Sequence, residues 1–422
     1  MKIIHTSDWH LGARLHDQDR QAEHEAFARW LLELLRREAP DALVVAGDIF
    51  DTGAPSNRSQ ECYYSLLAAI CGEALCRMVV VIGGNHDSPS LLEAPAAALE
   101  HLRTRVIGAI DAADLERQVV VVDGADGRPG LVIGAVPYLR EGDLRRDQAG
   151  EDDADRQAGL RDGFRRHYEA VANLAQQRAR ERAGRDLPLL LTGHLYLGGA
   201  TLSDSTSERA PRVGNLAALP PALLPAADYG ALGHLHSPQD LAGAPFWRYS
   251  GSPLPMSFAE AGQEKAVVVV EFGPAPGTPP VVRLERVPVF QRLEQVQGSP
   301  EAIAERLREL VTAGESAWVE VQVTAAEGDL GPFWASLPGL VEGSAVRILA
   351  HQDCRRYAAT PGTRDDATVV SLDDLTPADV FGLRLDDDPT VSAEERQWLG
   401  ELFTEVLKAV DETDPQRERP AP

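Results

Sequence analysis

The 422-residue chain predicts a layered α/β domain, then a small α+β domain, then a helical segment. Three observations carry that division. Strand-like and helix-like segments alternate through residues 1–272. The stretch GPAPGTPP at 273–280 interrupts them with a Pro/Gly-rich break. Near the end, Trp398, Leu399, Leu402, Phe403, Val406, Leu407 and Val410 recur at helical spacing. A chain of this length exceeds one ordinary core, and its 44% hydrophobic residues can fill more than one.

Taken in order, the first strand is centred on Ile3 and Ile4 and runs into HTSDWH. Phe27, Trp30, Leu31, Leu34 and Leu35 then form the apolar face of a helix, followed by a second strand in ALVVAGD and a third in VVVIGGNHD. Residues 141–162 are dense in charge and poor in large apolar groups, which predicts a surface loop or mobile insertion with no chemical role. LPLLLTGH and YGALGHLH supply two more strands. Beyond the break, EAIAERLRELV reads as a helix and AWVEVQV and SAVRILA as strands, giving a second domain over 282–362. The helical segment spans 372–412. It opens with Thr376 as N-cap and Pro377 in the first turn, and Ser392 with Glu395 makes a capping-box pattern.

Composition removes several function classes. A net charge of −24 argues against a broad basic surface for nucleic acid. Four cysteines without a CxxC pair predict reduced thiols rather than a disulfide frame or a structural zinc site. No apolar run approaches a membrane span, and the polar MKIIHTSDWH start lacks the apolar stretch of a signal peptide, so a cytoplasmic protein is expected. Only Lys2, Lys265 and Lys408 are lysines, and no GxxxxGK[ST] loop is present, so no ATP site is expected.

The chemistry sits at the strand ends. Asp8 and His10 follow the first strand, Asp48 the second, and Asn85 and His86 the third; His194 ends LPLLLTGH, and His234 and His236 end YGALGHLH. The carboxyl ends of strands in an open α/β sheet meet at one edge, so these distant residues can share a cleft. If locally extended, Asp8 and His10 would face one side, as would His234 and His236. Imidazoles and oxygens without thiolate suit Mn²⁺, Fe²⁺ or Zn²⁺. Asp8, His10, Asp48, Asn85, His194, His234 and His236 make seven candidate ligands, too many for one ion but suited to two ions about 3.5–4 Å apart with one bridging carboxylate. His5 lies within a strand, and His16, His24, His101, His167 and His351 lack ligand-like neighbours, so these six are expected to be structural or surface groups.

The order DxH, GDxxD, GNHD, GH, GHxH resembles the calcineurin-like metallophosphoesterase superfamily. HTSDWHLG, AGDIFDTGAPS, GNHDS and ALGHLH followed by YSGSPLPMSF place the resemblance in its DNA-nuclease branch, across essentially the whole chain. It implies a β-sandwich flanked by helices over 1–272, with a capping, DNA-binding domain at 282–362. Asp8, His10, Asp48 and His236 would hold one Mn²⁺, and Asp48, Asn85, His194 and His234 the other, with Mg²⁺, Fe²⁺ or Zn²⁺ as alternatives. His86 would be catalytic, acting on the phosphate or leaving group, with Asp87 orienting its imidazole. Asp51 completes GDxxD where archaeal and eukaryotic relatives carry His, so no role of that histidine transfers.

The implied activity is a metal-dependent 3′–5′ double-strand exonuclease and single-strand or hairpin endonuclease acting on DNA ends. It would work as a homodimer with an SbcC-type coiled-coil ATPase docked on the stripe at 398–410. The segments YLGGATLSDSTSERAPRVGN and GSPLPMSF would form lips of the DNA cleft. A phosphoesterase for small phosphodiesters or phosphoproteins would share the same core, but the second domain and helical segment argue for a larger substrate. A scaffold without chemistry would show gaps in the ligand set, and none is missing.

Overall fold

Alternate residues of the central strands face opposite layers. In the second strand Leu43 and Val45 pack on helices, whereas Ala42, Val44 and Ala46 pack on another sheet; in the third, Val79 and Val81 divide in the same way from Val80 and Ile82. Strands buried on both faces read as continuous apolar runs. The computed structural model describes residues 1–111, 113–145, 152–201, 219–273, 275–326 and 328–355, with Leu399, Leu402 and Phe403. It divides into two units, Met1–Arg355 and Arg356–Pro422.

The first unit contains two six-stranded sheets. One orders Val281–Arg286, Ala266–Glu271, Lys2–Thr6, Ala42–Ala46, Met78–Ile82 and Thr104–Ile107, with the last four parallel. The other orders Gln239–Asp240, Trp247–Tyr249, Tyr229–Gly233, Leu189–His194, Pro129–Gly134 and Val119–Asp123, with the middle four parallel. Ile3, Val44, Val80 and Val268 of one meet Val120, Leu131, Leu190 and Ala231 of the other in a shared apolar layer. His5 crosses that layer, its ring nitrogens 3.0 Å from Tyr229 Oη and 3.2 Å from the Leu232 carbonyl. Helices Gln21–Glu38 and Asn57–Gly72 cover the outside of the first sheet, and Asp153–Ala183 covers the second. The result is the expected sandwich flanked by helices.

Two expectations are corrected here. Residues 153–162, read as part of a charged loop, begin a 31-residue helix whose start is capped by Asp152, which accepts from the Asp155 amide. Leu160, Phe164, Tyr168, Val171, Ala175 and Ala179 form one buried stripe, so a helix needs only a narrow apolar seam and the charge fills the rest. The break at 273–280 does not end the first sheet either. It joins Ala266–Glu271 to an antiparallel edge strand, Val281–Arg286, because Pro and Gly serve hairpin turns as well as linkers.

A third sheet follows, with Arg292–Gly298, Ala317–Val323 and Val346–Asp353 all parallel. Helix Pro300–Thr312 and the two later strands match the sequence reading. Strand Arg292–Gly298 and helix Gly331–Val341, which carries Pro338 inside it, were not anticipated, and they complete a β-α-β-α-β unit. Of the expected segment at 372–412, only Leu399, Leu402 and Phe403 lie within the described residues, and they are helical. Thr376, Pro377, Ser392 and Glu395 lie outside them, as do residues 202–215 of the first expected cleft lip. No described helix is long and apolar enough to cross a membrane.

Candidate metal centre

All five strand tips reach one edge of the sandwich. Lys2–Thr6, Ala42–Ala46 and Met78–Ile82 end just before Asp8, Asp48 and Asn85; His194 closes its strand, and Gly233 hands over to His234. The first two tips are laced together by backbone bonds, Asp8 N–H to Gly47 O (3.0 Å) and His10 N–H to Asp48 O (3.1 Å). The His234 amide then donates to Asp8 Oδ1 at 2.9 Å, tying the two sheets at the centre. Gly47 is left-handed (φ +91°), and a Cβ there would overlap the His194 ring, so only glycine lets the second tip pass so close.

Four expected ligands are themselves left-handed: Asp8 (φ 53°), His10 (44°), Asp48 (50°) and His234 (104°). Such backbone costs on the order of 1–3 kcal/mol per residue and concentrates at functional sites. It also corrects the extended reading of the two pairs. Asp8, His10 and His236 place ligand atoms within 4.8 Å of one another, and Asp48, His194 and His234 form a second such group. The HxH pair divides between these two clusters, both in the same cleft.

Asp48 stands between the clusters. Its Oδ2 lies 3.2 Å from His194 Nε2 and 3.6 Å from His10 Nε2. Asn85 Oδ1 lies 3.0 Å from His194 Nε2 and 2.9 Å from His234 Nδ1. His194 Nδ1–H donates to the Ala46 carbonyl at 2.8 Å, which leaves Nε2 as the electron-pair donor facing Asp48 and Asn85. His10 is buried, and neither of its ring nitrogens makes a well-formed hydrogen bond. Buried imidazoles and carboxylates aimed at one another, with ring nitrogens left over, fit a divalent cation's donor set.

Several supporting roles escaped the sequence reading, which named Asp51 only as the end of GDxxD and named neither Glu260 nor Tyr138. Asp51 Oδ1 lies 3.4 Å from His10 Nδ1, and Glu260 Oε1 lies 3.2 Å from His236 Nδ1. A sixth strand tip, after Pro129–Gly134, brings Tyr138 to the same edge, its ring 6.3 Å from that of His194, with the Arg140 guanidinium 5.6 Å over the tyrosine. Its signal was another apolar strand ending in polar groups, PYLR, but without His, Asp or Asn. Asp87 needs correction. Its carboxylate accepts from the Ile49, Phe50 and Gly84 amides (3.1, 3.0 and 2.8 Å), clamping the Asp48 and Asn85 tips together. The expected contact with His86 is replaced by His86 Nδ1 on the Asp51 carbonyl at 2.8 Å, since the Asp87 side chain turns inward.

The electrostatics follow from burial against mutual attraction. Burial opposes the Asp48 charge, but His194 and His10 outweigh it and hold the carboxyl well below its ordinary range. Burial pushes Asp8 up. For His10, burial is outweighed by the Asp51 contact and the charges of Asp48 and Asp8, which raise it to about 9; for His194, Asp48 likewise outweighs burial and gives about 9. Burial, then the His194 charge, hold His234 well below its ordinary value. A cation must therefore displace protons from His10 and His194 at neutral pH. Both folded values exceed the 6.5 of an unperturbed histidine, so their contribution to metal-free stability is complete below pH 6.5 and is lost as pH rises toward 9.

The metal-free protein is accordingly expected to melt lower at pH 9 than at pH 6.5. Mn²⁺ affinity should rise across that window, with release of about two protons per protein at pH 7. Calorimetry in buffers of different ionisation enthalpy measures the release, and a buffer-independent heat would refute it.

A layered α/β sandwich whose strand tips gather imidazoles and carboxylates defines a metal-dependent phosphoesterase. The chain belongs to the calcineurin-like phosphoesterase family, whose sequence model matches residues 1–238. It is thereby a hydrolase that binds divalent metal. Residues 289–388 match a second family, described as the Type 5 capsule protein repressor C-terminal domain. The chain is 33% identical over 413 residues to the D subunit of nuclease SbcCD from Escherichia coli (strain K12), covering 96% of this chain and 98% of that one. The same-named proteins of Rhodobacter capsulatus and Bacillus subtilis (strain 168) are 37% and 35% identical, over 67% and 65% of this chain and 70% and 67% of theirs.

Proposed function

We propose that the chain is a two-metal DNA nuclease, cleaving phosphodiesters at duplex ends and hairpins as the nuclease component of an assembly with an SbcC-type ATPase. The observation that carries this reading is near full-length similarity to the D subunit of nuclease SbcCD, joined to a filled ligand set at one edge of the sandwich. Asp8, His10, Asp48 and His236 would hold one Mn²⁺, and Asp48, Asn85, His194 and His234 the second. When bound, such ions neutralise phosphate oxygens and lower the pKa of the attacking water. The chain's own residues do the rest. His86 is exposed at the mouth, and its Nδ1 hydrogen is taken by the Asp51 carbonyl, which turns Nε2 toward a phosphate or its leaving oxygen. Arg140 makes no ion pair among the described residues, which suits a phosphate contact in an otherwise acidic protein.

Manganese-dependent cutting of end-labelled duplex and hairpin DNA, with and without the ATPase and ATP, tests the proposal. Cleavage of small phosphodiesters with DNA left intact would overturn it. Homodimer formation belongs to the same proposal, as does docking of the ATPase on the terminal stripe, where Leu402 is 42% exposed. Leu402→Glu with Phe403→Glu should abolish co-purification with the ATPase while manganese-dependent nuclease activity persists. Undiminished co-purification would exclude this stripe as the docking site.

A further inference from the structure

His236 differs from the other histidines of the centre in what stands behind it. Glu260 is fully buried, and its Oε1 lies 3.2 Å from His236 Nδ1. A carboxylate only accepts, so Nδ1 carries the hydrogen and Nε2 is left to face Asp8 and His10. The second carboxylate oxygen accepts from Lys265 Nζ at 2.6 Å and from the Met256 amide at 3.0 Å. Lys265 is also buried, and the same ammonium donates to the His236 carbonyl (3.0 Å) and to Ser252 Oγ (3.2 Å). One lysine thus fixes His236 twice, through its backbone oxygen and, by way of Glu260, through its ring.

The choice of residue is informative. Only three of the 41 basic residues are lysines, and this one is buried. An ammonium can donate in three diverging directions, as these acceptors require, whereas a guanidinium offers a planar fork. A buried ion pair is a costly way to gain stability, because each charge loses its water, so apolar residues would hold the GSPLPMSF loop at least as well. That loop, expected as a cleft lip, supplies Ser252 and Met256 to the network. Among the described residues, His10, His194 and His234 have no comparable pair: His194 is backed by a backbone carbonyl, and His10 by Asp51, whose side chain is 36% exposed.

We infer that Glu260 and Lys265 are positioning residues for His236, and that they secure selectively the ion held by Asp8, His10, Asp48 and His236. The inference rests on the two-ion reading above. Metal titration of the full-length chain tests it, with free Mn²⁺ followed by its electron paramagnetic resonance signal. Glu260→Gln combined with Lys265→Met removes both charges of the pair together, so the metal-free melting temperature should stay close to wild type. Glu260→Asp, which keeps the charge opposite Lys265 but shortens the reach to the His236 ring, decides the matter if the double variant does not fold. In either variant one of two bound ions should weaken by about 10–100-fold, the usual effect of losing the group behind a ligand, while the other keeps its affinity. Two ions bound with wild-type affinities, or two weakened equally, would overturn the inference. Wild-type protein that binds a single ion would defeat the two-ion reading itself, and that failure is visible before any variant is made.

Discussion

Asp48→Asn is expected to slow phosphodiester hydrolysis by about 10³-fold or more, the scale of removing preorganised charge from a reacting centre, and to weaken metal binding at both clusters. The variant is chosen for its backbone. Asp48 sits at φ 50°, and asparagine tolerates that region, so loss of function would report the carboxylate rather than strain. Asparagine also retains an oxygen for the His86 amide, which donates to Asp48 Oδ1 at 2.9 Å. It cannot supply the charge that Oδ2 presents to His194 at 3.2 Å and His10 at 3.6 Å. Without that charge, the metal-free rings should titrate lower, and the fall in melting temperature between pH 6.5 and 9 should shrink with them. Metal analysis beside turnover checks the result. Retention of one ion at full affinity would mean that the carboxylate is not shared.

What the sequence revealed was local, and what it hid was not. The five strand tips are legible because a short apolar run and a polar ligand are adjacent in sequence, with a glycine between them at four of the five, and the sheets then align them. Side-chain direction at the tips is set elsewhere. Asp8 and His10 look like an extended pair, yet both are left-handed because the Gly47 and Asp48 carbonyls capture their amides. Glu260 reaches His236 across 24 residues of chain, so no spacing pattern announces it; the rarity of lysine at Lys265 was the available clue. Asp87 adjoins His86 in sequence but serves the Ile49, Phe50 and Gly84 amides. In the helix at 153–183, charge masked the apolar seam, since a periodic stripe of six residues is easily diluted over 31 positions.

His86→Gln should abolish DNA cleavage while both ions remain bound. General acid catalysis contributes about 10²–10⁴-fold, and glutamine can hydrogen-bond but cannot give up a proton. We propose a proton donor rather than a ligand because Nδ1 is held by the Asp51 carbonyl at 2.8 Å and the ring is exposed; since His86 also shares with His10 and Asp51 a group of ligand atoms within 4.8 Å of one another, the metal content of the variant decides between the two roles. The 3′ oxygen of DNA is a poor leaving group that benefits from protonation as its bond breaks, whereas p-nitrophenolate leaves unaided. Turnover of a p-nitrophenyl phosphodiester by the variant should therefore stay near wild type even as DNA cleavage disappears. An equal loss on both substrates would assign His86 to holding the phosphate, and a fall in metal content would make it a ligand. Asp51→Ala offers an internal control, because His86 is held by the backbone carbonyl of that residue and not its side chain. It should weaken metal retention through His10 and leave the ratio of the two substrate rates unchanged.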